Sequence, residues 1–483
     1  MSFKSKDITR LQTNYIDFSN LIKRIFNLRF FTRLFVYVFI FFIIFIAFSY
    51  INVVLKWFFK KVSKVLLIAT SKTFGKQLEA DDLWQINFLI LWCGGEEWPG
   101  GWLTDTIMIA SYNPNLKTVT FLSIPRDLYI EDKDIGYKGK INGLFATVYL
   151  ANKNKLWKRA AIDLAAKSLA KKIKEITDIQ VQKYVIVTFK GFVDFINKLG
   201  GIDVYVPYTL IDTKYPTYDW GRTTIKFKKW WRHMNGRDAL IYARSRHSTS
   251  DFSRSQRQQQ IIKAVLNKLF SSKVLFDVSK LKQLYFQYSQ MVFTDLSFKE
   301  ILGLVQYIDK IKHFFSFVYT ADCDWSSRKS VEPWCLLYYP PRDLFNGLSV
   351  LLPIGATPDN PGFYENMKKF AFIVIYNQKF LLENPKIQIE NGVSKKFLYR
   401  KYWYAYPIAS KLAKNLKVYA FNVVNVKNAS AVYSWTIVFY RSWDDYSNTI
   451  ELLKMFLPFE KVNKRNLTWD IDMNIIIGND FIR

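Results

Sequence analysis

The hydrophobic pattern begins with one long uninterrupted run. Residues 34–55, LFVYVFIFFIIFIAFSYINVVL, are 22 positions without a charge. As a helix rising about 1.5 Å per residue they span about 33 Å, enough for a hydrocarbon core of about 30 Å. One transmembrane helix is therefore predicted. A cleaved signal peptide would have a shorter apolar region of about 7–15 residues and a small-residue cleavage site, which this stretch lacks. Lys4, Lys6, Arg10, Lys23, Arg24, Arg29 and Arg33 precede the span, and Lys56, Lys60, Lys61 and Lys64 follow it. The excess before it favours a cytoplasmic basic tail at 1–33 and an extracytoplasmic remainder.

Beyond a basic juxtamembrane linker at 56–85, the pattern changes to short, nearly continuous apolar runs. Ile86–Trp92, Thr106–Tyr112 and Thr118–Ile124 each end in turn residues: Cys93-Gly94-Gly95, Asn113-Pro114 and Pro125. They read as strands covered on both faces. Leu156–Ile176 has helical spacing, Tyr184–Phe189 is the next strand, and FVDFINKLGG a short helix ended by Gly200 and Gly201 before the strand IDVYVP. A helix is predicted at Lys299–Ile311. Alternating helices and strands predict an α/β domain over 86–360, closed near the turn cluster at Gly355–Gly362. A smaller α/β domain is predicted over 372–482. Its strands are IQIE, ending at Glu390, then Val418–Val424, Trp435–Tyr440 and NIII; its helices are Pro407–Leu416 and Asn448–Phe456.

Charge narrows the partners. The 483 residues carry 69 Lys and Arg against 40 Asp and Glu, a net +29, which favours anions such as acidic headgroups, phosphorylated substrates or nucleic acid. Cys93, Cys323 and Cys335 are too few for a disulfide scaffold, and three His residues argue against a Cys/His zinc cluster. Cys323 and Cys335 could form one local bridge or remain two buried thiols.

The densest chemical signal is RSRHSTSDFSRSQRQQQ, starting at Arg244. Arg244 and Arg246 alternate at strand spacing, so YARSR reads as the end of a strand that points both guanidiniums to one side. Asp251 is positioned to cap a following helix, whose first two turns put Arg254, Arg257 and Gln258 on one face. Ile261, Ile262, Val265, Leu266 and Leu269 give that helix an apolar later half. Planar guanidiniums from two elements suit a diphosphate; structural ion pairing and nucleic-acid contact are the alternatives, and no nucleic-acid-binding motif accompanies the cluster. A second set lies at strand ends: Asp105 before one strand, Arg126 and Asp127 after another, and Lys140 with Asn142 in GKINGLF. An Asp carboxylate suits Mg²⁺, and Arg126 or Lys140 could support the same anion.

The order and spacing of these motifs resemble the LytR-CpsA-Psr family of membrane-anchored cell-envelope glycopolymer transferases. The matching motifs are Asp105-Thr106, Pro125–Asp127, Lys140–Asn142 and Arg244 through Gln259, with LGGIDVYVP and HMNGRDALIYARSRH between them. Weaker landmarks over about 372–482 resemble a LytR-like C-terminal domain. The resemblance implies a three-layer α/β/α core with a mixed central sheet and an apolar pocket for a prenyl chain. It also implies a Mg²⁺-assisted site that moves a glycopolymer or linkage unit from a polyprenyl diphosphate to peptidoglycan or another envelope acceptor. By residue, it puts Asp105 in the metal region and Arg126 and Lys140 facing phosphate. Arg244, Arg246, Arg254 and Gln258 form the diphosphate clamp, with Arg257 supporting the helix start and Asp127 and Asp251 in supporting or metal-region roles. An acceptor hydroxyl would attack the sugar carbon attached to diphosphate, with Asp127 or Asp105 as candidate base. Two positions depart from the family pattern: Leu103 stands where an Arg is frequent, and Cys93-Gly94-Gly95 where a polar or acidic residue is frequent. A polyprenyl-diphosphate phosphohydrolase and a non-catalytic envelope scaffold are the alternative functions.

Overall fold

The computed structural model describes residues 75–98, 100–217, 221–245, 251–271, 278–288, 292–308, 310–321, 335–402 and 407–482. The predicted span at 34–55, Arg246, Cys323 and the side chain of Asp251 lie outside what is described. Among the described residues no helix is long and apolar enough to cross a membrane.

In chain order the first strands are β1 (Ile86–Cys93), β2 (Thr104–Asn113), β3 (Thr118–Ile124) and a hairpin of β4 (Tyr129–Asp132) and β5 (Tyr137–Lys140). They are followed by β6 (Lys183–Thr188), β7 (Ile202–Val206), β8 (Leu210–Pro216), β9 (Arg222–Phe227), β10 (Trp230–Met234), β11 (Val292–Thr294) and β12 (His313–Val318). The central sheet has the order β11-β6-β1-β2-β3-β12. It is mixed: β1 pairs antiparallel with β2 and parallel with β6, and β3 pairs antiparallel with β2 and parallel with β12.

The helices that frame the sheet are α1 (Ile141–Asn152), α2 (Lys158–Thr177), α3 (Phe189–Lys198), α4 (Gly236–Arg244), α5 (Asp251–Ser271), α6 (Val278–Tyr288) and α7 (Phe298–Ile308). Successive side chains of a strand point to opposite faces. Ile107 and Ile109 of β2 accordingly join Leu89, Leu91 and Leu122 against α1 and α2. Met108 and Ala110 face the other way, toward Phe121 and the partly buried Ile262 and Leu266 of α5. Apolar residues on both sides of each strand are why these runs read as continuous rather than alternating.

The region before α5 differs from the sequence reading. YARSR does not leave a strand; Arg244 ends helix α4. Asn235 caps that helix by accepting from the Asp238 backbone N–H at 2.9 Å, and Ala239, Leu240, Tyr242 and Ala243 bury its inner side. Gly236 allows the approach, since a Cβ there would sit 2.1 Å from the Val193 carbonyl oxygen of α3.

The C-terminal sheet runs Val423–Asn428, Ile387–Asn391, Met473–Ile477, Ile437–Arg441, Lys461–Arg465. The strand expected from Val418 begins at Val423 instead, because helix Ile408–Val418 continues with Leu412, Ala413 and Leu416 buried. The strand Lys461–Arg465, too polar to show an apolar run, was not anticipated. Residues Ile68–Arg483 form one compact unit, and one buried cluster runs from Leu89 and Leu91 through Met367, Phe370 and Ile373 to Ile389 and Ile475. The Tyr319 hydroxyl donates to the Met367 carbonyl at 3.0 Å, and the Tyr376 hydroxyl to Asp81 Oδ2 at 3.2 Å.

Candidate active site

The C-terminal ends of β1 and β3, the first residues of β2, and the adjoining ends of α3, α4 and α5 converge on one edge of the central sheet. Asp105 is the second residue of β2 rather than a position before the strand. Its Oδ1 accepts from Arg126 Nη1 at 2.5 Å. Arg126 Nε lies 3.6 Å from Asp127 Oδ2, and Asp127 Oδ1 accepts from Lys140 Nζ at 2.6 Å. The four charges thus alternate along a chain from Asp105 to Lys140.

Lys140 is not a wall of either hollow described below; its Nζ is engaged by Asp127, which is one. Asn142 stands behind the wall as well, its backbone N–H donating to the Arg126 carbonyl at 3.3 Å and its own carbonyl accepting from the Thr104 hydroxyl at 3.3 Å. Both residues position the Arg126 segment.

The arginine cluster divides in two. Arg244, partly exposed at the end of α4, lies 4.6 Å from the Phe189 ring centroid and 5.0 Å from that of Trp98, and its Nη1 donates to the Tyr215 hydroxyl at 3.4 Å. Aromatic faces of this kind hold a guanidinium while leaving its N–H edge available. Burial raises the Tyr215 phenol, and the neighbouring Arg244 charge opposes that rise. Arg257 is 2% exposed and points into the protein, where Nε donates to the Tyr242 carbonyl at 3.0 Å and Nη2 to the Ser245 carbonyl. Burial lowers its pKa. It ties α5 to the C-terminal end of α4 and is not a wall of either hollow described below. The polar start of α5 is buried too: Arg254, Gln258 and Gln259 are 6%, 3% and 1% exposed.

Two adjoining hollows, about 400 and 580 Å³ with their mouths included, share Asp105, Thr106, Arg126, Arg254 and Gln258 as walls. The first extends to Asp127, Ser255 and Tyr339; the second extends to Trp92, Phe189, Tyr215 and Arg244. Asp105, Arg126, Asp127, Arg244, Arg254 and Gln258 were anticipated. Thr106, Phe189 and Tyr215 were not assigned. Phe189 carried a signal, standing where an apolar strand gives way to a helix, but nothing in the sequence around Tyr215 ties it to Arg244.

Among the described residues no group of three or more His, Cys, Asp or Glu could hold a metal ion by itself. Mg²⁺ usually takes only one or two carboxylates and completes its shell with water and substrate phosphate. Asp105 supplies one carboxylate on the cleft, and the buried Thr106 Oγ1 beside it has no hydrogen-bond partner. These donors fit Mg²⁺ brought in together with a phosphate.

The LytR_cpsA_psr family model matches residues 67–323. This chain belongs to that family. Over 207 residues it is 32% identical to the polyisoprenyl-teichoic acid–peptidoglycan teichoic acid transferase TagV of Bacillus subtilis strain 168, covering 42% of this chain and 47% of TagV. Over 209 residues it is 28% identical to TagT of the same strain, covering 43% of this chain and 58% of TagT. Over 197 residues it is 32% identical to the cell wall biosynthesis protein LcpA of Corynebacterium glutamicum, covering 38% of this chain and 36% of LcpA. The chain therefore spans less than two thirds of each of these relatives. Among solved structures, Bacillus subtilis TagV aligns over 60% of this chain and 97% of its own at 25% identity and a TM-score of 0.42. "TagT bound to LIIa-WTA" aligns over 62% and 94% at 22% identity, also with a TM-score of 0.42.

Proposed function

We propose that this LytR-CpsA-Psr member transfers a glycopolymer or linkage unit from a polyprenyl-diphosphate carrier to peptidoglycan or another cell-envelope acceptor. The observation that carries the proposal is the convergence of Arg126, Arg244 and Arg254 on one cleft that also presents Asp105. Three guanidiniums outnumber the two carboxylates of the walls, Asp105 and Asp127, and suit a diphosphate. The names of TagV and TagT, which specify a polyisoprenyl-linked teichoic acid and peptidoglycan, support the substrate class. Helices packed on both faces of the sheet support the three-layer α/β/α reading of the core.

In this reading Arg244, held over the rings of Phe189 and Trp98, and Arg254 with Gln258 bind phosphate oxygens from two helices. Arg126 approaches from β3, restrained by Asp105 and Asp127. An acceptor hydroxyl, passing its proton to Asp127 or Asp105, attacks the sugar carbon and expels polyprenyl diphosphate, or attacks the glycan-side phosphorus and expels polyprenyl monophosphate; in both cases negative charge builds on the leaving carrier. Pre-oriented guanidiniums stabilise that charge more than the ground state, and removing one such donor costs about 10²–10³-fold in rate. Mg²⁺, held at Asp105 and Thr106, would neutralise part of the diphosphate charge. The apolar span at 34–55 would anchor the chain with the site on the extracytoplasmic side, next to both carrier and acceptor. The expected partners are the carrier-linked glycan, the envelope acceptor and the membrane, not nucleic acid.

The full-length protein, incubated with a glycan-loaded polyprenyl diphosphate, peptidoglycan and Mg²⁺, should yield polymer covalently attached to the acceptor. Release of inorganic phosphate instead would mark a phosphohydrolase, and unchanged donor a scaffold.

A further inference from the structure

The strands β7 to β10 form two ribbons between α3 and α4, and their outer side carries a surface that the cleft does not use. Tyr205 lies against Trp230 and Trp231, with ring centroids 6.4 and 5.6 Å apart. Yet these rings are 40%, 64% and 59% exposed. Trp230 also holds a φ of +127°, a region that glycine enters freely and a bulky side chain does not. Strain of this kind persists where surrounding packing or function compensates it, and an indole so exposed gains little from packing.

The charge around these rings is one-sided. From Gly221 to Arg232 the chain has five bases, Arg222, Lys226, Lys228, Lys229 and Arg232, and no acid. Lys226, Lys228 and Lys229 are exposed, and Lys226 pairs across the hairpin with Ile211, itself 43% exposed. Trp and Tyr beside Lys and Arg seat well in the interfacial layer of an anionic bilayer. A platform for sugars would offer carboxylates to hydroxyl groups, and the acid beside these rings, Asp203, is occupied by His233 Nδ1 at 2.7 Å. At the far end of the same hairpin Tyr215 and Pro216 line the cleft.

We propose that the outer face of these ribbons rests on an anionic phospholipid surface and holds the mouth of the cleft at headgroup level, where a carrier presents its diphosphate. The proposal rests on the reading of the chain as membrane-anchored, and the test separates the two. The full-length chain is reconstituted in phosphatidylcholine vesicles with or without phosphatidylglycerol, with an environment-sensitive fluorophore on Ile211→Cys. Flotation with the vesicles reports the anchor at 34–55; quenching of the fluorophore by spin-labelled lipids reports the ribbon.

Quenching in phosphatidylglycerol vesicles is expected. It should fall at least twofold in phosphatidylcholine alone and in the K226E/K228E/K229E variant. Trp230→Gly, which relieves the positive φ, should unfold at the same or a higher temperature and still lose at least half of the quenching. A chain that floats with no quenching in phosphatidylglycerol overturns the proposal. So does a fluorophore that responds only to a soluble anionic glycopolymer, which would reassign the surface to the glycan.

Discussion

Arg126 links the start of β2 to the end of β3, with Nη1 donating to Asp105 Oδ1 at 2.5 Å while Nε stays 3.6 Å from Asp127 Oδ2. A phosphate entering the cleft therefore competes with Asp105 for the same guanidinium, and Asp127, held by Lys140, keeps Arg126 in place when it does.

Asp105→Asn removes the charge that both Arg126 and Mg²⁺ would meet. The Asp105 side chain is 35% exposed, so the variant should unfold within a few degrees of wild type. Transfer should fall about 10²-fold or more, with partial recovery at raised Mg²⁺. Equal activity and equal metal dependence in the two proteins would remove Asp105 from the chemistry.

The two ends of the arginine cluster should fail differently. Arg244→Ala should leave thermal unfolding almost unchanged and weaken lipid-diphosphate binding by about 2–5 kcal/mol. Lys should substitute poorly there, because an ammonium cannot stack on Phe189 and Trp98 as a guanidinium does. Arg257→Ala leaves the Tyr242 and Ser245 carbonyls without their buried donor. It should destabilise the fold by about 2–4 kcal/mol, since buried carbonyls lose a charged partner. Denaturant unfolding beside binding isotherms for both variants distinguishes the roles.

Gly236→Ala places a methyl group 2.1 Å from the Val193 carbonyl oxygen. Overpacking of this kind costs about 1–3 kcal/mol. Because α4 ends in Arg244, the shift should also weaken diphosphate binding, and calorimetry with the purified variant would show both losses together.

Cys93 is a buried free thiol whose pKa burial raises to about 12 from 9.0. The folded state therefore favours the protonated form. Its contribution to stability is complete below about pH 9 and is lost as pH rises through about 12. Tyrosines titrate in the same range, so the informative quantity is the wild-type stability minus that of Cys93→Ala between pH 8 and 11. It should decline with pH. Iodoacetamide at pH 8 should leave Cys93 unmodified until the chain is unfolded.

The parts legible in the sequence were those where one local pattern decided the outcome. Apolar runs marked β1, β2 and β3, and the Lys-Ala periodicity of α2 set its span to within two residues. The cluster from Arg254 to Gln258 took its place on one helix because three- and four-residue spacing is local. YARSR misled because alternating arginines suit a strand equally well, and the deciding facts, the Asn235 cap and the Gly236–Val193 approach, lie nine and eight residues upstream. Spacing alone put Arg257 on one face with Arg254 and Gln258, and only the family resemblance set it apart as a support of the helix start; its inward direction depends on the Tyr242 and Ser245 carbonyls of another element. Cys335 is disulfide-bonded, which one residue pair in the sequence permitted but did not require.

The core that joins Leu89 to Ile475 also sets an order of events during synthesis. The strands and helices that build the cleft leave the ribosome first, but Met367, Phe370, Ile389 and Ile475 must follow before the apolar face beneath α1 and α2 is fully covered. A chain stopped near residue 370 would display that face to proteases and to other unfinished chains. The segment from Met367 to Ile475 thus acts as a lock added late, so that the arginine cleft becomes durable only after that segment has packed.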